Sequence, residues 1–387
     1  MRILYHHRVA SCDGQAVHIE EMIGALRSLG HEVRVVAPSF GKTPGLRGQM
    51  GSENKWIKYI KVATPRAVYE LLELAYSLVA YRQLRQAVEV FQPDFIYERY
   101  NLFLMAGLML KKRMGIPMVL EVNSPLVYER SFHSGGLSLK RLAEWSEGTV
   151  WRGADVVLPV TRVLAEHVMG RGVASRRISA IPNGINATSF SSAPSPDVAK
   201  ATLGLQGKLV LGFTGFVREW HGMDRVLDWM AVPRTPSKTH LLVVGDGPVR
   251  EQLERQARRL GLNERITFTG VVHRDQVSSY VAAFDIALQP AVTPYASPLK
   301  LMEYLVMGKA IVAPDAPNLK EILSNGINAL LFDHTRGGSF EEVLTALCVD
   351  QDLRFRLARE AKETINKLDL TWLGNARRVV SLVESLR

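Results

Sequence analysis

A chain of 387 residues is longer than one ordinary α/β domain and reads as two, and 47% hydrophobic against 22% charged residues argues for buried cores rather than disorder. Its two cysteines, Cys12 and Cys348, lack any ligand-spaced neighbour, which argues against a disulfide framework or a zinc site and suits a reducing cytoplasm. The net charge of +10 is uneven: residues 1–185 hold 24 Lys+Arg against 16 Asp+Glu, net +8, leaving 24 against 22, net +2.

In chain order, Met1-Arg2-Ile3-Leu4-Tyr5-His6-His7 turns polar too soon for a signal peptide, and residues 2–5 read as a first buried strand. A loop through Gly14 leads to a helix over about 17–29, which Gly30 stops, and then to a strand over 32–37. A helical stretch near 68–90 precedes strands at 95–97, 118–122 and 156–159. The nine apolar or glycine residues 102–110 fall short of the ~18 needed to span a bilayer, and read as a buried helix ending in Lys111-Lys112-Arg113. This series closes near Ile181-Pro182-Asn183-Gly184. Residues 191–196, rich in Ser and Pro, read as surface loop. A second series places strands at 209–213, 241–244, 266–269, 286–289 and 310–313, with helical patterns between them.

Two series of βα units imply an α/β chain with two parallel sheets, divided near residue 185. Such sheets take ligands outside the carboxyl ends of their strands, so the loops there are the candidates for chemistry. Gly215-Phe216-Val217-Arg218-Glu219-Trp220-His221-Gly222 follows the first strand of the second series. Gly245-Asp246-Gly247-Pro248 follows the next, with Gly245 and Gly247 offering positive φ and close approach of a ligand. The strongest segment runs from Ser297 through Pro298, Leu299, Lys300 and Glu303 to Gly308. Pro298 opens a helix and Gly308 ends it. Free N–H groups of Leu299 and Lys300 at that helix start, with the Lys300 charge, suit a phosphate. Glu303, three residues on, shares a face with Lys300 and suits ribose hydroxyls; the plainer alternative is an exposed ion pair worth about 0.2–0.5 kcal/mol.

These motifs, with Gly14-Gln15, Gly30-His31-Glu32-Val33, Ile181-Pro182-Asn183-Gly184-Ile185-Asn186 and Phe268-Thr269-Gly270, make the chain resemble glycosyltransferase family 4 over nearly its whole length. The resemblance implies the GT-B fold, two Rossmann-like domains facing across a cleft. It implies an acceptor domain at 1–185, a donor domain at 186–369, and a terminal helix at 370–387 that starts near Thr371-Trp372 and returns to the first domain. It further implies a retaining transferase whose co-substrate is a nucleotide-diphosphate sugar, with no cofactor and no metal. Gly14 and Gln15 would approach the diphosphate, Arg218 or His221 together with Lys300 would neutralise it, Glu303 would hold the ribose, and the backbone near Val271 and Val272 would meet the nucleobase.

Four positions depart from the family pattern. Tyr295 stands where the first of two glutamates is usual, Phe216 and His221 align with the usual Arg and Lys, and Asn123 replaces a His on the loop after the strand at 118–122. Asn can hydrogen-bond a sugar hydroxyl but cannot serve as a base near neutral pH. His6, His7, His18 and His133 are further candidates for sugar or acceptor contacts, His18 ahead of His133, and Asp13 and Glu121 are acidic residues near the same loops. The basic first half suits an anionic or lipid-linked acceptor and at most peripheral membrane contact, while no dense basic run speaks for nucleic acid. The alternatives are another GT-B enzyme (an inverting transferase or an epimerase) and a non-catalytic nucleotide-sugar-binding subunit. A NAD-dependent dehydrogenase is disfavoured because no Gly-x-Gly-x-x-Gly follows the first strand.

Overall fold

The computed structural model describes residues 1–9, 14–38, 64–133 and 136–386, and Cys12 and Asp13 lie outside them. The chain forms two compact units. The first comprises Met1–Pro182, Tyr295–Ser297 and Trp372–Arg387, the second Asn183–Pro294 and Pro298–Thr371.

In the first unit the elements are β1 (Arg2–His6), α1 (Gly14–Ser28), β2 (Glu32–Val36), α2 (Arg66–Phe91), β3 (Phe95–Arg99), α3 (Ala106–Met114), β4 (Met118–Val122), α4 (Leu126–His133), α5 (Lys140–Gly153), β5 (Val156–Pro159) and α6 (Arg162–Gly170). The strands pair in parallel in the order β2-β1-β3-β4-β5. β3 and β4, inner strands of this order, are buried along their whole length, as parallel strands must be when helices cover both faces, and the edge strand β5 is buried too. Gly30 ends α1 at φ 82°, a left-handed conformation that glycine adopts without penalty.

The second unit contains α7 (Pro196–Thr202), β6 (Leu209–Thr214), α8 (Met223–Met230), β7 (Thr239–Val244), α9 (Arg250–Arg259), β8 (Ile266–Phe268), α10 (Arg274–Ala282), β9 (Ile286–Leu288), α11 (Leu299–Val306), β10 (Ala310–Pro314), β11 (Leu330–Phe332), α12 (Ser339–Val349) and α13 (Gln351–Lys367). Its sheet is parallel in the order β11-β10-β9-β6-β7-β8. The order reverses between β6 and β9, and that switch point opens the crevice in which open α/β sheets hold ligands. The terminal helix α14 (Trp372–Glu384) groups with the first unit, where Trp372 packs edge-on against His18 at 4.6 Å.

Two local expectations are corrected. The apolar run at 102–110 is not one helix: Leu102 and Phe103 are buried in a turn, Phe103 takes φ 65°, and α3 starts only at Ala106. Its last turn carries Lys111, Lys112 and Arg113 as expected. Strand β11 was not foreseen: its Leu-Leu-Phe run carries no β-branched residue, unlike the equally short β8 and β9. Among the described residues no helix is long and apolar enough to cross a membrane.

Candidate functional site

Both strongest segments sit at the switch point of the second sheet. The loop from Gly215 to Gly222 leaves β6, and the chain leaving β9 leads to Pro298, which N-caps α11. Gly308, at φ 57°, ends the same helix after the cap residue Met307. At the start of α11 the Leu301 N–H turns back to the Pro298 carbonyl at 3.1 Å, while the N–H groups of Leu299 and Lys300 precede any intrahelical acceptor and carry the positive end of the helix dipole.

Lys300 lies in this first turn with its ammonium 3.7 Å from the centroid of Phe213 on β6. Its Nζ is shielded from solvent and has no hydrogen-bond partner among the described residues. Burial pulls its pKa down to about 7, against the pull of Glu303 in the other direction. The exposed ion pair weighed above is therefore not what forms. Glu303 accepts a hydrogen bond from Thr214 Oγ1 at 3.1 Å, and Tyr304 Oη accepts the Thr214 N–H at 2.9 Å, so the end of β6 is tied to α11. Burial raises the Glu303 pKa, opposed by the Thr214 hydrogen bond and the charges of Lys300 and Arg274.

Arg218 lies between two rings, 4.9 Å from the centroid of Phe216 and 5.0 Å from that of Trp220. The substitution of Phe for the usual Arg at 216 thus supplies a face that holds Arg218 by cation–π attraction. His221 departs from its expected role as a cation. Burial, then the charges of Lys300 and Arg218, hold its pKa far below the ordinary value, and its Nδ1 accepts the Arg218 N–H at 3.0 Å. A neutral imidazole accepting at Nδ1 carries its proton on Nε2, so His221 offers a hydrogen bond and no charge.

The structure also gives another reason for the glycines. Gly245 takes φ 131°, and a Cβ there would collide with the Gly215 carbonyl; a Cβ on Gly247 would collide with the Val217 backbone. The room these residues leave is taken by protein: the two loops are joined by Gly215 N–H to Val244 O at 2.9 Å and Val217 N–H to Asp246 O at 2.7 Å. Val272 is 9% exposed with its side chain in the core, leaving only its backbone for a base, while Val271 is 45% exposed.

In the first unit, Gly14 and Gln15 are the first residues of α1 and both are exposed. Asn123, after β4, does not stand free. Its Nδ2 donates to Glu121 Oε1, which also accepts from Arg99 Nη1, while Oε2 accepts from Tyr97 Oη at 2.6 Å and hydrogen-bonds His18 Nε2 at 2.9 Å. Burial alone would raise the Glu121 pKa, but His18 and Arg99 overrule it and hold the carboxylate well below its usual range. His18 is thereby a structural clasp between Glu121 and Trp372 rather than an open sugar ligand. His6 Nδ1 bonds the buried Glu98 carboxylate, and His7, held at a pKa of about 4 mainly by burial, accepts the Val9 N–H. The side chain of His133 lies outside the described residues.

Ser297 and Tyr295 group with the first unit. Tyr295 is 8% exposed, its ring edge-on to Tyr128 at 6.3 Å, and its carbonyl accepts from Thr161 Oγ1 at 3.0 Å. Its side chain belongs to the apolar core of the first unit. The residues that the sequence reading did not single out are Phe213, Thr214 and Tyr304; the first two end a strand already placed beside the site, which was their only signal.

Comparison with known proteins agrees with this architecture. Residues 13–184 match the glycosyl transferase 4-like domain and residues 197–364 the glycosyl transferases group 1 domain. The 2-deoxystreptamine glucosyltransferase of Streptomyces kanamyceticus is 25% identical over 291 residues, 71% of this chain and 74% of the relative. A D-inositol 3-phosphate glycosyltransferase of an Arthrobacter species is 24% identical over 363 residues, 90% of this chain and 85% of the relative. In fold, the chain superposes on Anabaena HepE, solved with UDP, with a TM-score of 0.76 at 17% identity over the full length of both. With family matches spanning both units and two parallel-sheet α/β units of the GT-B kind, the chain belongs to glycosyltransferase family 4, the group 1 glycosyltransferases.

Proposed function

We propose that the second unit binds a nucleotide-diphosphate sugar, that the first unit takes the acceptor, and that the sugar is transferred with retention of anomeric configuration and without a metal ion. The observation that carries this reading is Lys300: a shielded ammonium with no hydrogen-bond partner among the described residues, at the open start of α11 and the switch point of its sheet. Burying a cationic nitrogen without an acceptor is costly, and an anionic ligand relieves the cost. A diphosphate fits the set. Lys300, the first N–H groups of α11 and Arg218 supply positive charge, His221 Nε2–H supplies a neutral donor, and Glu303 accepts from ribose hydroxyls. The structure of HepE with UDP supports a donor of this class.

In the reaction the bond from the anomeric carbon to the diphosphate oxygen breaks and a bond to the acceptor oxygen forms on the same face. The acceptor proton passes to the leaving diphosphate, so no protein base is needed where Asn123 stands. Lys300, Arg218 and the helix start stabilise the charge that grows on that leaving group, the task a divalent ion performs elsewhere. Product analysis by NMR in the presence of EDTA tests both finer points. The product is expected to keep the donor's anomeric configuration and the rate to stay unchanged; inversion, or activity restored only by Mg²⁺ or Mn²⁺, would refute them. Binding of the nucleotide sugar without any turnover would instead favour a non-catalytic subunit.

A further inference from the structure

The first unit carries a group of rings outside its buried core. Tyr128 and Phe132 stand one turn apart on α4, their centroids 4.7 Å apart and their planes tilted by 44°, and they are 39% and 68% exposed. The exposed His167 of α6 meets Tyr128 edge-on at 6.1 Å, and the buried ring of Tyr295 meets it edge-on at 6.3 Å. Tyr128 therefore joins the two other exposed rings and is itself held against a buried one. The group is ordered before any ligand arrives, which lowers the cost of binding.

The place of these rings in the fold is that of a ligand surface. β4 and β5 are paired neighbours followed by α4 and α6, and Tyr128 lies in the first turn of α4 and His167 in the second turn of α6. Open parallel sheets take ligands at the carboxyl ends of their strands, the end at which Asn123 also stands. The cations of these helices are turned elsewhere. Arg130 of α4 donates to Glu73 at 2.6 Å, and Arg171, just past α6, faces Glu147 at 3.7 Å. Arg162 lies about 140° around α6 from His167. None of the three is offered beside the rings as Lys300 is offered in the second unit.

We propose that Tyr128, Phe132 and His167 form a subsite for an uncharged sugar ring of the acceptor, stacked on the two aromatic faces and hydrogen-bonded at its rim by His167 and the Tyr128 hydroxyl. A pyranose has a face of C–H bonds made electropositive by the oxygens on its carbons, and the face of an aromatic ring is electronegative. Its hydroxyls need both donors and acceptors at the edge of the stack. A neutral imidazole supplies both, and burial, with the charge of Arg171, lowers the His167 pKa from its ordinary value. A lipid chain has no hydroxyls to meet either group. The inference rests on the reading of the first unit as the acceptor side and adds the acceptor's class, a neutral glycan or glycoside. Carbohydrate binding is read without donor and without turnover, so either reading can fail alone.

The test is binding of the fluorescently labelled full chain to an array of neutral oligosaccharides and of the same glycans bearing uronic acid or phosphate groups. A subset of the neutral glycans should bind, and saturation-transfer NMR with one of them should show the strongest transfer to the C–H protons of one ring face. Phe132→Leu keeps an apolar side chain but removes the aromatic face, and should lower affinity about tenfold, whereas Phe132→Tyr should restore it. Both change a largely exposed position and should keep the wild-type melting temperature. In turnover with a bound glycan as acceptor, Phe132→Leu should raise acceptor KM by about the same factor with little change in kcat, since the stacked ring is remote from the bond that breaks. Absence of binding to every neutral glycan would overturn the proposal, as would binding confined to the charged ones. So would equal glycan binding by wild type and Phe132→Leu, the result for a patch that meets a lipid or another protein through apolar area alone.

Discussion

Lys300 ties donor binding to pH in a way that can be worked through. Burial lowers its pKa from 10.5 to about 7, so above neutrality the folded, unliganded protein holds it largely uncharged while the unfolded chain keeps it protonated. The unfolded state then binds more protons, and stability rises with pH from about 7 to about 10.5; the ceiling is about 5 kcal/mol, from ~3.5 pKa units at ~1.4 kcal/mol each. A bound diphosphate restores the charge. Donor binding should therefore take up a proton in that window, and affinity should fall by about tenfold per pH unit above pH ~7. A nucleotide sugar is the right probe because its diphosphate is a diester with no oxygen titrating near neutrality. Calorimetry in buffers of different ionisation enthalpy reads the uptake directly, approaching one proton per site at the alkaline end. Lys300→Arg stays charged throughout and should bind with no such uptake, whereas Lys300→Met should bind weakly and without pH dependence. Equal proton uptake in wild type and Lys300→Arg, or none in wild type, would refute the assignment of Lys300 to the diphosphate.

Four further outcomes are expected. Lys300→Ala should lower kcat as well as donor affinity, by about 3 kcal/mol in total, whereas Glu303→Gln should mainly raise donor KM because the ribose changes little during reaction; steady-state kinetics that leave both variants like wild type would remove the site. Gly247→Ala should cost about 1–3 kcal/mol of stability by pushing its loop off the Val217 backbone, and an unchanged urea midpoint would contradict that packing. Glu121→Ala strands a buried Arg99 and should cost about 3–5 kcal/mol in the same measurement, with wild-type stability counting against the carboxylate as a hub. Because the folded-state pKa of Glu121 is depressed, its stabilisation is present above the ordinary carboxylate range and lost as pH falls through the lowered value. Acid titration of wild type against Glu121→Gln should show that loss in wild type only.

The parts of the molecule that were legible in the sequence are those with a local physical signature. Buried parallel strands read as short β-branched runs, Gly30 and Gly308 as helix ends, and Pro298 as a helix start, and each stands where that chemistry puts it. Strand β11 and the broken run at 102–110 were not legible, since Leu330–Phe332 carries no β-branched residue and a buried turn is as apolar as a buried helix. At the site, Lys300 and Glu303 were visible as a pair, but their burial was not, because it depends on Phe213 and Thr214 arriving from a strand some 85 to 90 residues earlier in sequence. The same holds for the charge of His221, which follows from packing against Phe213 and from the nearness of Lys300. Gly245 and Gly247 illustrate how a glycine-rich loop can be read for the right place and the wrong neighbour. What they make room for is the adjoining loop.

The central claim, that this family 4 chain moves a sugar from a nucleotide-diphosphate donor held around Lys300, is tested most directly by a donor screen read by mass spectrometry. Wild-type protein and Lys300→Met are each incubated with UDP-, GDP-, ADP- and dTDP-sugars and candidate hydroxyl acceptors. The account predicts that wild type releases one nucleoside diphosphate together with an acceptor heavier by one sugar residue, and that Lys300→Met, folded to the wild-type melting temperature, forms that product far more slowly. Equal product from both proteins would contradict the placement of the donor, and release of nucleoside diphosphate with free sugar but no glycosylated acceptor would contradict the transfer itself.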